Sequence, residues 1–410
     1  MEECVENIKR FEMLSTKFGP NIQECFHLRE GSTFINHGSY GTVPKKVTDH
    51  QMRLLMEMES HPDDWFRNKV DKYLQQAISS VSEFLQTSPQ DTVLIQNATK
   101  GVNTVLKSCP LKSLDAILIT SLTYPAVKMT ANTVAARLEG VQCLTLDIRF
   151  PIESEDSICD QYQTFLDQHP NIKLAIIDHI TSPTAVVMPV KRLVKLCHDR
   201  DVIVIVDGAH GPGQLPLNLP EIDADFYTGN FHKWVYTPRG CAVLWKNPAY
   251  QNDWLTPLVT SFYHGQGLQL EFGFEGTKDD TPCISVIEGI KFYQDIGGFE
   301  SINCYNSTLV RRAADLLTSA WGTQKLSIPP SMESPNMINV QLLDIPGYLK
   351  TSGDEKHLMK DLYELYGIQT MTVCIQGELF IRISAQVYNC MQDYEKLCGA
   401  VLELRKRVRQ

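Results

Sequence analysis

The stretch VIVIVDGAHGPGQL, residues 202–215, runs five apolar residues into an aspartate and then into a loop of glycine, alanine, histidine and proline. A strand this apolar is expected to be covered on both faces, as in a parallel sheet. In such sheets ligands bind beyond the carboxyl ends of the strands. Asp207 stands at that end, with His210 three residues on. Burying an unpaired carboxylate is costly, so Asp207 needs a cation to face.

The sequence around this stretch alternates in the same way. DTVLIQ (91–96), AILITSLTY (116–124), VQCLTLDI (141–148), KLAIIDHI (173–180), ADFYTGN (224–230) and GCAVLWK (240–246) read as strands. NATKGVNTVLKSC (97–109), PAVKMTANTVAARLEG (125–140) and PVKRLVKLCHDR (189–200) read as helices between them. Upstream, VDKYLQQAISSVSEFL (70–85) puts its apolar residues on one helical face. Strands alternating with helices predict an α/β fold, a mostly parallel sheet with helices on both faces. After about residue 280 the pattern changes. The stretches 283–300 and 304–321 read as helices, 336–343 and 378–386 as strands, and 353–367 as a helix between them. The expected organisation is an N-terminal segment (1–30) packing on a small domain, a large α/β domain (31–280) and a small α+β domain (281–410).

Composition narrows the function. The chain has 410 residues, 43% apolar and 21% charged, an ordinary globular balance. Its net charge of −10 disfavours a phosphate-backbone partner, so no nucleic acid is expected. No apolar run approaches the roughly 18–20 residues of a membrane span. The first residues lack a continuous apolar signal core. The twelve cysteines have no metal-ligand spacing. A cytoplasmic protein without a metal site is the expectation.

Three features join Asp207. Lys233 lies in GNFHKW (229–234), between two presumed strands and flanked by His232 and Trp234. Thr99 lies where IQNATKGVNTVL (95–106) turns from strand to helix, and a helix start offers free amides to an anion. Arg382 lies within the apolar strand FIRIS, and arginine suits bidentate capture of a carboxylate. One ligand fits all four. A protonated pyridine nitrogen suits Asp207, a phosphate suits the helix start, an aldehyde suits Lys233, and an amino-acid substrate leaves a carboxylate for Arg382. That ligand is pyridoxal 5'-phosphate, a cofactor that carries the chemistry while the protein orients it.

The ordered motifs FINHGSYGTVP, QNATKGVN, DHITSPTAVVMPV, VDGAHGPGQ, DFYTGNFHKW, EFGFEGTKDD and RISAQVYNCMQDYEKL span residues 34–397. Together they resemble the class V aminotransferase superfamily of fold-type I pyridoxal-phosphate enzymes, in its isopenicillin-N-epimerase-like branch. The resemblance implies roles. Lys233 matches the Schiff-base lysine, Asp207 the partner of the ring nitrogen, and His210 the residue at the cofactor's phenolic oxygen. Tyr124 matches the group stacked on the ring face. Ala98, Thr99, Asn230 and His232 match the phosphate cup. Thr277 resembles the residue that reaches the phosphate from a neighbouring subunit, which implies a homodimer with shared active sites. Arg382 matches the substrate-carboxylate clamp, and Asn36, His37 and Ser182 lie where relatives line the substrate pocket. His37 also reads as a residue bonding only within its turn, and His179 as one satisfying backbone groups.

The resemblance leaves the reaction open. A desulfurase needs a nucleophilic cysteine on a mobile loop, and the candidate, Cys374, sits only eight residues before Arg382 and reads as a hairpin residue. The preferred reading is a β-eliminating carbon–sulfur lyase acting on cysteine or an S-substituted cysteine. An epimerase or aminotransferase with the same cofactor is the alternative. A non-catalytic binding protein on the same fold is the alternative from another class.

Overall fold

A computed structural model describes residues 2–251 and 253–407. Twelve strands follow in chain order: β1 (Thr33–Phe34), β2 (Thr92–Ile95), β3 (Ala116–Thr120), β4 (Gln142–Leu146), β5 (Ile172–Asp178), β6 (Ile203–Asp207), β7 (Phe226–Asn230), β8 (Ala242–Lys246), β9 (Met337–Gln341), β10 (Ile368–Gln369), β11 (Met371–Ile375) and β12 (Glu378–Ser384). Seven of them form the central sheet in the order β2-β8-β7-β6-β5-β3-β4. β7, β6, β5, β3 and β4 run parallel, whereas β8 is antiparallel to both β7 and β2. This is the expected α/β sheet.

The sheet is apolar on both faces because helices cover both. Ile117, Ile176 and Ile205 face the helices Ala98–Ser108 and Pro125–Arg137. Leu118, Ile177 and Val206 face the helices Val70–Leu85, Glu155–Gln168 and Val190–His198. Alternation along a strand then assigns strand-end side chains to a face. Asp178 shares parity with Ile176, and Asp207 with Ile205, so both carboxyls lie on the side of the helices Ala98–Ser108 and Pro125–Arg137. The Asn97 side chain caps the first of these by accepting from the Lys100 amide, and Pro125 opens the second. Gly101 lets that first helix lie against β7, since a Cβ there would stand 2.3 Å from Thr228 Oγ1.

The C-terminal part holds the antiparallel sheet β11-β12-β9 with the helices Gly298–Trp321, Ser352–Tyr366 and Met391–Lys406. The N-terminal helix Glu2–Ser15 lies on Gly298–Trp321, with Phe11 stacked on Tyr305 at 5.1 Å between ring centroids. β1 pairs in parallel with β10, joining the segment before the Gly-rich turn to the C-terminal part. The continuous helix expected over 283–300 is instead broken into Thr281–Ile284 and Val286–Asp295. Gly297 and Gly298, at φ 114° and 62°, then turn the chain before the next helix, using the left-handed region that glycine adopts without steric cost.

Candidate active site

The end of β7 and the turn that follows set Lys233. Phe231–Trp234 form a single helical turn, and Lys233 on it is about nine-tenths buried. His37 holds this turn from beneath: its Nε2 bonds the Lys233 carbonyl and its Nδ1 lies 2.8 Å from the Tyr388 hydroxyl. Gly41 follows the same turn at φ 67°, where a Cβ would lie 2.0 Å from the His232 carbonyl oxygen. HGSYG is therefore a buttress for the lysine. This corrects the reading of His37 as a pocket-lining residue, because the ring is fully buried and both nitrogens are engaged within the chain.

Above the turn, His210 Nε2 lies 3.0 Å from Lys233 Nζ and 3.2 Å from Ser182 Oγ. The Trp234 indole N–H donates to His210 Nδ1 at 3.4 Å, which puts the imidazole proton on Nε2. Burial, with the neighbouring Lys233 and Arg382, holds His210 neutral, well below the usual histidine range. Burial pushes Lys233 down to about 7, helped by Arg382 and opposed by Asp207. An amine poised there is a free base for much of its time near neutrality.

Asp207 ends β6 and accepts the Ala209 amide at 3.0 Å. Burial raises its carboxyl, against the Ala209 amide and the charge of Lys233. The loop beyond it is glycine-rich for room rather than flexibility. The Tyr227 ring fills the space beside Gly208 and Gly211, where either Cβ would stand 2.1 Å from that side chain. The Tyr227 hydroxyl in turn lies 3.1 Å from His179 Nδ1, so His179 is a structural residue here.

Arg382, on β12, is fully buried. Its guanidinium donates to the Ser182 carbonyl, to Asn36 Oδ1 at 3.2 Å and to Ser39 Oγ at 3.1 Å. Among the described residues it has no ion pair, and its Nε has no hydrogen-bond partner. Burial alone lowers it to about 10. A buried cation without an anion costs several kcal/mol, roughly 3–5 when a partner is removed, so the Arg382 pocket suits an anionic ligand.

The phosphate cup is only partly as expected. Asn230 Oδ1 accepts the Ala98 amide at 2.9 Å. The Ala98 amide is thus spent inside the protein, as are those of Lys100 and Gly101 on Asn97, which corrects the place of Ala98 in the phosphate cup; Thr99 and the Asn230 side-chain nitrogen remain. His232 donates from Nδ1 to the Cys241 carbonyl at 3.2 Å and is held neutral, pushed down to about 4 by burial and by Lys233. Tyr124 caps the helix Pro125–Arg137 and is 40% exposed. Thr277 is exposed on this chain. Cys374 lies within β11, and its Sγ donates to the Lys350 carbonyl at 3.0 Å. It is a strand residue, not a thiol on a mobile loop.

Two residues of the site were missed in the sequence. Ser39 shares Arg382 with Asn36, and nothing in HGSYG marks it apart from its neighbours. Asp178 is a second buried carboxyl, directly beside Asp207 in the sheet register. Its signal was available, since LAIID ends an apolar strand on an aspartate as VIVIVD does.

A mostly parallel sheet with lysine, aspartate and arginine gathered at its carboxyl ends defines a fold-type I enzyme framework. The chain belongs to the aminotransferase class-V family, which it matches over residues 41–397. It is 32% identical to a putative L-cysteine desulfhydrase 1 of Oryza sativa subsp. japonica, over 93% of this chain and 85% of that one. It is 27% identical to hercynylcysteine sulfoxide lyase of Schizosaccharomyces pombe, over 92% of this chain and 95% of that one. The fold is shared with a cystine C-S lyase solved with cysteine persulfide, at TM-score 0.77 and 19% identity, over 93% of this chain and 99% of that one.

Proposed function

We propose that this chain is a pyridoxal-phosphate-dependent carbon–sulfur lyase that eliminates the β-substituent of cysteine or an S-substituted cysteine, leaving pyruvate and ammonia. The observation that carries the reading is Arg382, a buried guanidinium with an orphaned Nε and no carboxylate, at one site with the buried amine of Lys233 and the carboxyl of Asp207. These groups fit an amino-acid carboxylate, an aldehyde and a pyridinium nitrogen respectively. The desulfhydrase and sulfoxide lyase among the relatives support the choice of reaction. Cys374, tied into β11, supports a route without a cysteine nucleophile.

Asp207 would face the ring nitrogen, Thr99 with Asn230 would hold the phosphate, joined by His232 when the phosphate's charge protonates its Nε2, and Tyr124 would cover the ring face. The cofactor, when bound, supplies an electron-accepting ring conjugated to the substrate's amino group. The protein's own part is positioning and proton handling. Arg382 fixes the substrate carboxylate, and Ser182 and Asn36 hold Arg382 in register. The Lys233 amine, lowered by burial to about 7 and so available as a free base near neutrality, takes the α-proton on Nζ. His210, neutral and proton-bearing on Nε2, steadies that amine. The purified protein should therefore absorb visible light near about 410–430 nm, as a lysine-linked cofactor of this kind does. Protein that stays colourless after incubation with pyridoxal phosphate would favour a binding protein instead.

The same reading makes the working unit a cytoplasmic homodimer. Cysteines with described side chains are free thiols, in keeping with a reducing compartment. The stretch 258–280 exposes Leu258, Val259, Phe262 and Leu270 beside Thr277. It borders a groove of about 710 Å³ lined by Phe66, Val70, Leu74, Phe272 and Phe274. A second copy would cover this apolar surface and bring its threonine to the phosphate. Thr277→Val is expected to weaken cofactor affinity by one charge-assisted bond, roughly 1.5–3 kcal/mol. Cofactor titration with sedimentation over a dilution series checks it. A monomer with full occupancy contradicts the shared site.

A further inference from the structure

Asp178 is a buried carboxyl that the mechanism above does not use. It ends β5 as Asp207 ends β6, and the two are direct partners in the parallel register. Both are 4% exposed, and both lie on the side of the helices Ala98–Ser108 and Pro125–Arg137. The Thr123 hydroxyl and the Tyr124 amide reach the Asp178 carboxyl, which ties it to the residue expected over the cofactor ring. Its Oδ2 is buried and has no hydrogen-bond partner among the described residues.

Two carboxyls on register partners of adjacent strands, strands that run about 4.8 Å apart, repel one another in a buried site, which disfavours ionising both even with Lys233 near Asp207 and Lys128 near Asp178. Burial and the charge of Asp207 hold Asp178 well above the usual carboxylate range, while Thr123, Tyr124 and Lys128 oppose this. The other ionisable groups around the pair are Lys233, next to Asp207, and Tyr162 and Tyr227 on the opposite face of the sheet. Asp178 therefore carries the proton of the pair and Asp207 the charge.

We propose that Asp178 is a positioning residue that shares one negative charge with Asp207 and can assume that charge beside the ring nitrogen of the cofactor. This rests on the pyridoxal-phosphate reading. When Asp207 is made neutral, its repulsion is gone and only burial still favours the proton on Asp178. The nearby ring cation offsets that burial, so the carboxylate takes over part of the support of the ring nitrogen.

Equilibrium dialysis of the loaded protein against graded pyridoxal phosphate tests this as a double-mutant cycle. Asp178→Asn alone is expected to change cofactor affinity less than about threefold, since one charge remains. Asp207→Asn alone weakens it moderately. The double variant weakens it by about tenfold beyond the product of the single effects. Asn keeps the shape and an acceptor oxygen for Thr123 and Tyr124, so a merely structural Asp178 would show no such excess. Asp178→Ala in the Asp207→Asn background should match Asp178→Asn, which gives the coupling a second reading. Effects that simply multiply, or an Asn at 178 that behaves as Asp does in the Asp207→Asn background, overturn the proposal. A different failure marks the underlying reading: Asp207→Asn with unchanged affinity and unchanged turnover removes Asp207 itself from the ring nitrogen.

Discussion

Lys233→Ala is expected to lower turnover by about 10⁴-fold, the upper range for loss of a positioned proton acceptor, and to release the cofactor on dialysis. The fold should survive. The turn Phe231–Trp234 is held by backbone and by its neighbours, with His37 on the Lys233 carbonyl and Trp234 buried beside it. Neither contact uses the amine. Ala also leaves fewer buried polar atoms at the site. The check is turnover, visible absorbance and thermal unfolding of the same purified sample. Activity near that of the parent chain would sink the assignment of Lys233, and with it the cofactor chemistry.

The second large effect is at Arg382. Arg382→Met keeps the volume and removes the cation, so kcat/KM should fall about 10²–10³-fold, in the range for loss of one partner of a buried charge pair. Arg382→Lys should recover little of it. A lysine cannot repeat the fork that reaches the Ser182 carbonyl, Asn36 and Ser39 at once. An internal control separates clamp from scaffold. 2-Aminoethanethiol carries the amine and the thiol of cysteine but no carboxylate, so its binding to the loaded protein should be nearly equal in parent and variant. Equal losses for cysteine and for this amine would mean that Arg382 supports the site without touching the carboxylate.

The sheet was legible because its strands are short apolar runs ending on polar residues, with helices of clear period between them. Asp207 and Lys233 were legible for the same reason: each is a charge where a buried strand ends. Asp178 obeys the same rule, but its place beside Asp207 comes from strand pairing that the local sequence does not show. The roles of His37 and Ala98 could not be read. Each depends on a contact far along the chain, His37 with Lys233 and Tyr388, Ala98 with Asn230. Such pairings are created by the fold and leave no local spacing. The helix expected over 283–300 breaks at Ser285, which the local apolar pattern does not mark, and Gly297 and Gly298, both at positive φ, redirect the chain beyond its end. Ser39 was invisible because a serine in a Gly-rich turn needs no special reason.

Carbon–sulfur bond cleavage is decided by a mass balance of products. The loaded protein is incubated with L-cysteine and, separately, with an S-substituted cysteine sulfoxide. Pyruvate, ammonia and the sulfur-containing leaving group are each quantified. The three are expected in equal amounts from at least one of these substrates, with about 10⁴-fold slower formation by Lys233→Ala. Substrate returned with inverted configuration, or a keto acid that keeps its sulfur, would contradict it.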